Sequence, residues 1–147
     1  MNRHTRYQGF IIQDNHVLLI QHKQLATGRA YWVVPGGGRE DGETEEECVI
    51  REMLEETNLN VRVERMLFDE PVHPEGMYLW RKTYLCTPIG GEASPGYEPE
   101  LEASAEYAIT AVRWVDLRDE SGWGERLQAD PFTYPQLVAL REQMGYT

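Results

Sequence analysis

Residues 36–59 read GGGREDGETEEECVIREMLEETNL, and the placing of glycines, carboxylates and apolar residues in this stretch decides the fold. Thr44 followed by Glu47 is a capping box: the hydroxyl accepts from a backbone N–H while the carboxylate reaches back to the cap. It starts a helix over 45–57. Asn58 stands where a left-handed C′ residue ends a helix, asparagine being the usual substitute for glycine there. Leu59 is expected to close onto Leu54 as the apolar pair of a Schellman ending. On a helical wheel, Val49, Ile50, Met53, Leu54 and Thr57 share one broad arc, the expected core face. Glu52, Glu55 and Glu56 fall on the other side, at spacings that bring side chains together.

That acidic cluster works against the helix. Like charges at i,i+4 cost about 0.2–0.5 kcal/mol per pair, and anions in the last turn oppose the helix dipole by a further ~0.3–1 kcal/mol each. A local rule broken repeatedly at one place points to function. Three carboxylates on one face are hard oxygen ligands suited to Mg2+ or Mn2+. The backbone of 35–38, almost bare of side chains, lets a carbonyl approach the same ion. For Glu45, Glu46 and Glu47 a solvated acidic face accounts for the sequence.

Upstream, 7–13 (YQGFIIQ) reads as a strand, Asp14-Asn15 as a hairpin turn and 16–22 (HVLLIQH) as the returning strand. A loop over 25–30 leads to a short buried strand at 31–34, which ends at the Pro35-Gly36-Gly37-Gly38 breaker. Downstream, 61–68 and 77–86 are strands, 87–105 is a long loop rich in Gly, Pro and Glu, and 109–115 is a last strand. Asp130-Pro131 opens a C-terminal helix running to about Met144, with Leu137, Leu140 and Met144 as its apolar side. Strands interleaved with two helices give an α/β (α+β) class on a central mixed sheet, in one domain spanning 1–147.

Composition narrows the function. At 147 residues and 41% hydrophobic content, the chain can bury one real core. No stretch approaches the ~20 apolar residues that span a bilayer, and residues 1–8 lack the apolar segment of a signal peptide. Cys48 and Cys86 match no metal or redox spacing and read as buried free thiols in a reducing compartment. Together these features place the protein in the cytoplasm, away from membranes. With 25 acidic against 14 basic residues and a net charge of −11, it lacks the basic footprint of a nucleic-acid binder. The same charge demands a cation wherever a phosphate-bearing ligand docks.

Gly37, then Glu43 after five residues, Arg51-Glu52 after seven more, and Glu55-Glu56, with Met53 and Leu59 apolar, follow the pattern of the Nudix box. Over residues 37–59 the chain resembles the Nudix hydrolase family; YWVVPGGG before the box and RWVDL around Trp114 extend the likeness more loosely. One position departs, Asn58 standing for the usual glycine, and Asn tolerates the left-handed conformation. The resemblance implies a Nudix-type α/β/α sandwich and metal-dependent hydrolysis of a diphosphate. It implies Glu52, Glu55 and Glu56 as ligands of Mg2+, with Mn2+ as a substitute, and the Gly36 carbonyl beside them. It implies that Arg51 orients the carboxylates and that Glu43 supports the loop–helix–loop. Glu52 is the first choice of general base. Among Glu98, Glu100, Glu102 and Glu106 of the long loop, Glu106 is favoured as a further ligand or base, because it precedes the last strand.

Arg29 and Arg39, followed by Lys23 and Arg81, are candidate contacts to phosphate or ribose, and Trp80 is a candidate to stack a base. Trp32 and Trp114 are expected in the core, and Tyr7 either at a pocket on the sheet edge or, as is usual for a strand aromatic, in packing. The four histidines show no ligand spacing. The expected partner is a small nucleoside diphosphate derivative, bound by a monomer or homodimer. A nucleoside triphosphate or dinucleoside polyphosphate is favoured over ADP-ribose or a nucleotide sugar, because the chain is short. A non-catalytic nucleotide sensor of the same fold, and an isoprenoid diphosphate isomerase using Cys86, rank behind.

Overall fold

Strands β1 (Asn2–Gln13) and β2 (His16–Gln24) meet at Asp14-Asn15, whose φ angles of 51° and 64° are those a two-residue hairpin turn requires. In the computed structural model, which describes residues 2–75, 78–97 and 106–146, the pair stays together only at Ile12–Val17 and Gln13–His16, then splays. β2 pairs antiparallel with β3 (Ala30–Val33) and with β7 (Tyr107–Asp116). β1 runs parallel to β6 (Tyr78–Gly91), from Thr5–Trp80 to Ile11–Cys86, and β5 (Leu59–Glu75) flanks β6 antiparallel. The order is β3-β2-β1-β6-β5, with β7 also on β2. One parallel pair among antiparallel ones makes the sheet mixed, as expected.

The glycine run, expected to break the chain, instead forms β4 (Gly36–Arg39), antiparallel to β1 through Tyr7–Gly37 and Gln8–Gly36. The reason is space. A Cβ on Gly36 would lie 2.5 Å from the Tyr7 carbonyl oxygen, so bare backbone lets the two strands approach. β1 is thus an interior strand, and of the two readings of Tyr7 the packing one holds, its ring lying in the core. β5 and β6 run beyond 61–68 and 77–86, and β6 takes the first residues of the expected 87–105 loop. Residue 77 and residues 98–105 lie outside the described residues.

Alternation along the strands sends Tyr7, Ile11, Leu18, Tyr84 and Cys86 to one face. There they meet Cys48, Val49 and Met53 of α1 (Glu45–Thr57). Phe10, Val17 and Leu19 point the other way, onto Leu127 of α2 (Glu125–Gln128) and Leu137 and Leu140 of α3 (Thr133–Met144). The result is an α/β/α sandwich. α3 begins later than expected, after a turn at 131–132 across which the Asp130 carboxylate accepts from the N–H groups of Phe132 and Thr133. Trp123 is among the largest fully buried side chains, its indole N–H donating to the Asp116 carbonyl at 2.7 Å. Trp32 and Trp114 are only partly buried against the two cores. Both thiols are buried, and burial pushes the Cys86 thiol up to about 12, so neither is poised to react. Among the described residues no helix is long and apolar enough to cross a membrane.

Candidate metal-binding and substrate site

The capping box forms as its residues dictate: Thr44 Oγ1 accepts from Glu47 N at 3.1 Å and Glu47 Oε1 from Thr44 N at 2.8 Å. Asn58 takes φ 62° at the other end. Between them the helix faces differently from the wheel. Ile50 and Leu54 are 37% and 44% exposed, while Glu52 and Glu56 are 1% and 0% exposed. Cys48, Val49 and Met53 suffice to fill the core, and β4 covers the flank that carries Glu52. A Cβ on Gly37 would lie 2.4 Å from Glu52 Oε1. Leu59 enters the core, away from the half-exposed Leu54. The helix ends instead on the segment 92–97, whose Ser94, Gly96 and Tyr97 N–H groups donate to the carbonyls of Thr57, Glu56 and Glu55.

Arg51 is the hub of the carboxylates. Its Nε and Nη2 donate to Glu43 at 2.9 and 2.8 Å, a two-pronged contact, and Nη2 also reaches the Gly38 carbonyl at 3.0 Å. Nη1 donates at 3.1 Å to both Glu52 and Glu55, and Glu40 lies 3.7 Å away. The Arg51 hydrogen bond holds the Glu43 carboxyl below its usual range. Burial, then the charge of Glu52, raises that of Glu55. Four carboxylates against one guanidinium leave the cluster short of positive charge.

The shortage is sharpest at Glu52. Oε1 is held by Arg51, but the buried Oε2 has no hydrogen-bond partner, a condition that costs about 1–3 kcal/mol or more for a charged group. An orphaned carboxylate oxygen among further hard oxygen donors, under a strand without side chains, fits a divalent cation. Among the described residues no three His, Cys, Asp or Glu side chains are yet gathered tightly enough to hold a metal, and Arg51 occupies one oxygen each of Glu52 and Glu55.

The other expected residues scatter. Gly36 lies buried in β4 beside Gln8. Arg39 donates to the Glu43 carbonyl at 3.0 Å and braces the loop before α1. Glu45, expected on a solvated face, ties α1 to β6 by accepting from Tyr84 Oη at 2.6 Å and pairing with Lys82 at 3.1 Å. Glu106 is exposed at the foot of β7; its carbonyl accepts from Leu25 N at 2.8 Å, and it takes no part in the Arg51 network. Trp80 faces the same side of β6 as Lys82 and Tyr84, with its indole N–H on Asp69. Lys23 is exposed. Glu98, Glu100 and Glu102 fall outside the described residues.

Two recesses adjoin at Pro131, just before α3. One of about 370 Å3 is lined by Arg6, Arg81, Tyr78, Thr83, Phe132 and Gln136; the other, about 580 Å3, by Arg29, Arg126, Tyr31 and Trp32, and Pro131 borders both. Trp80 lines neither. Sequence reasoning passed over Arg6, whose guanidinium donates to the Val34 carbonyl at 2.8 Å, next to the glycine strand. The signal was present in β1: Arg6 and Gln8 alternate with Tyr7, Gly9 and Ile11 on an interior strand. Gln8 is buried and donates to Thr83 Oγ1 at 2.9 Å and Gln136 Oε1 at 2.6 Å.

A family profile described as the NUDIX domain matches residues 3–137. The chain belongs to the Nudix hydrolase family. Over 100 residues it is 35% identical to an NAD-capped RNA hydrolase of Vibrio atlanticus, covering 67% of this chain and 35% of that one. Over 90 residues it is 36% identical to an ADP-ribose pyrophosphatase of Methanocaldococcus jannaschii, covering 60% and 53%. The chain thus spans about half or less of the length of these curated relatives. A solved Nudix hydrolase from Nitrosomonas europaea superposes with a TM-score of 0.69 at 20% identity, over 97% of this chain and 90% of that one, and shares the fold. The segment around Arg51 is therefore the Nudix helix.

Proposed function

We propose that this Nudix protein is a Mg2+-dependent hydrolase cleaving the diphosphate of a nucleoside diphosphate joined to a second moiety. The orphaned, buried Oε2 of Glu52 under Gly37 carries the reading. Glu52, Glu55 and Glu56, with the Gly36 carbonyl, would hold Mg2+ or Mn2+. Bound there, a cation would supply the charge to neutralise the diphosphate and acidify a water. Arg51 fixes the directions of Glu52 and Glu55, and Glu43 fixes Arg51. Glu52 accepts the proton of the attacking water, with Glu106 the second candidate for that role. Attack in line on one phosphorus relies on positioning and charge more than on covalent chemistry.

A substrate with a group at each end of its diphosphate would have to reach from the carboxylate cluster to the recesses, whose linings do not include the cluster. Arg6 and Arg81 beside Tyr78 and Phe132, and Arg29 and Arg126 beside Tyr31 and Trp32, each set guanidinium groups next to flat rings. A dinucleoside polyphosphate would offer a base to each recess, and a nucleoside triphosphate a base to one. The activities named for the relatives, on ADP-ribose and on NAD caps, belong to the same two-ended class. A net charge of −11 disfavours long RNA as the second end. The buried free thiols suit the cytoplasm.

The test is a panel of dinucleoside polyphosphates, ADP-ribose, NAD, nucleotide sugars and nucleoside triphosphates with Mg2+ or Mn2+. Mononucleotide release from a two-ended compound, abolished by EDTA and by Glu52→Gln, is the expected result. Tight ligand binding without turnover anywhere on the panel would replace the hydrolase with a nucleotide sensor.

A further inference from the structure

Asn58 replaces the glycine usual at its place in the Nudix box, and its side chain is used. Nδ2 reaches Ser94 Oγ at 2.9 Å, Pro95 O at 3.2 Å and Ser94 O at 3.3 Å. Glycine would hold the left-handed conformation at lower cost, but it could reach none of these acceptors. We propose that Asn58 is a positioning residue: with the segment 92–97 it clamps the last turn of α1 and so sets Glu55 and Glu56 for the cation. The inference rests on the metal-site reading above.

A helix leaves its last four carbonyls without partners. Here all four are satisfied from outside the helix: Leu54 O by Asn58 N, Glu55 O by Tyr97 N, Glu56 O by Gly96 N and Thr57 O by Ser94 N, at 2.9–3.0 Å. Two of these carbonyls belong to the residues whose carboxylates would hold the metal. The segment can approach this closely only through glycine, since a Cβ on Gly96 would lie 1.9 Å from Glu55 O. Gly91, at φ 88°, turns the chain off β6 in the same way, with a Cβ there falling 2.5 Å from Asn58 O.

The clamp also has an electrostatic effect. The C-terminal end of a helix carries partial negative charge on its carbonyls, which opposes the gathering of carboxylates at that end. Three backbone N–H dipoles from 94–97 aim at it and offset part of that charge. Order in the segment and binding of a cation at Glu55 and Glu56 are therefore linked, and by reciprocity each strengthens the other.

The test uses Mn2+ as the probe, with affinity read from the EPR signal of the free ion and amide exchange read at Gly96 and Tyr97. In the wild type, Mn2+ slows exchange at both amides. Asn58→Gly keeps the backbone conformation and removes the side-chain part of the clamp; its Gly96 and Tyr97 amides exchange about tenfold faster, and Mn2+ binds about fivefold more weakly. Ser94→Ala, which leaves two of the three acceptors, falls between. Wild-type Mn2+ affinity in Asn58→Gly overturns the inference, whether or not exchange or melting temperature changes, because a merely structural contact moves only those. Wild-type protein that binds no Mn2+ removes the metal reading and the clamp's role with it. That outcome is distinct from equal, measurable binding in both proteins.

Discussion

Gly37 and Glu52 occupy one place, and a single methyl group decides between them. Gly37→Ala puts a Cβ 2.4 Å from Glu52 Oε1, which forces the carboxylate or the strand aside at a cost of about 1–3 kcal/mol. Denaturant melts should show that loss, together with weaker Mn2+ binding. Glu56→Gln acts in the opposite direction. Its carboxylate is wholly buried in the last turn of α1, where the helix dipole disfavours an anion. The amide should raise the melting temperature in EDTA while weakening Mn2+ binding; a lower melting temperature would refute the account. The identities of these residues could be read from the box, but their burial could not. The wheel gave α1 one apolar arc without knowing that β4 would lie on the acidic flank, so Ile50 and Leu54 went to the wrong side.

Arg51 joins three elements, holding Glu43 in the loop before α1, Glu52 and Glu55 within it and the Gly38 carbonyl of β4. Arg51→Ala leaves partly buried carboxylates facing one another, and roughly 2–3 kcal/mol of stability should go, somewhat less than when a fully buried pair is broken. Arg51→Lys should recover little, because one ammonium cannot supply the planar fork that meets Glu43 with two bonds. Urea titration of the two variants checks both statements. The helix, its caps and the hairpin were legible because their signals are local: a capping box, an Asn at C′, Asp14-Asn15 at the turn. β4 was not legible. A glycine run signals a break unless another strand is known to lie close beside it, and that strand, β1, stands nearly thirty residues upstream.

Across the whole molecule, stability should respond to cation and to acid. A cation bound only by the folded state adds stability in proportion to the logarithm of its concentration, so millimolar Mg2+ should raise the melting temperature by roughly a few degrees; an unchanged melt would count against the site. His22 lies beside Tyr107 at a ring distance of 5.8 Å. Burial first, then the Arg6 charge, lowers its pKa from 6.5 to about 4. A depressed pKa means the folded state resists protonation. Its contribution is complete above pH 6.5, shrinks below that and is gone beneath about pH 4. Replacing His22 with Gln should flatten the stability curve in that window, measured by denaturant unfolding at stepped pH. The mixed α/β class followed from the pattern of strands and helices, and the layered sandwich from the likeness to the Nudix family. The recesses did not, because residues as distant as Arg6, Arg81 and Gln136 meet only once the sheet is assembled.

The parallel register of β1 against β6, Thr5 beside Trp80 through Ile11 beside Cys86, gives the chain a schedule. Once synthesised, β1 has to wait for a partner some seventy-five residues behind it, and β4 and the carboxylate cluster rest on that strand. Contacts so remote in sequence slow folding and prolong the exposure of apolar segments such as GFIIQ to other chains. Nascent chains halted before Cys86 should therefore be caught by chaperones and cut by proteases, and resistance should appear abruptly once β6 has emerged.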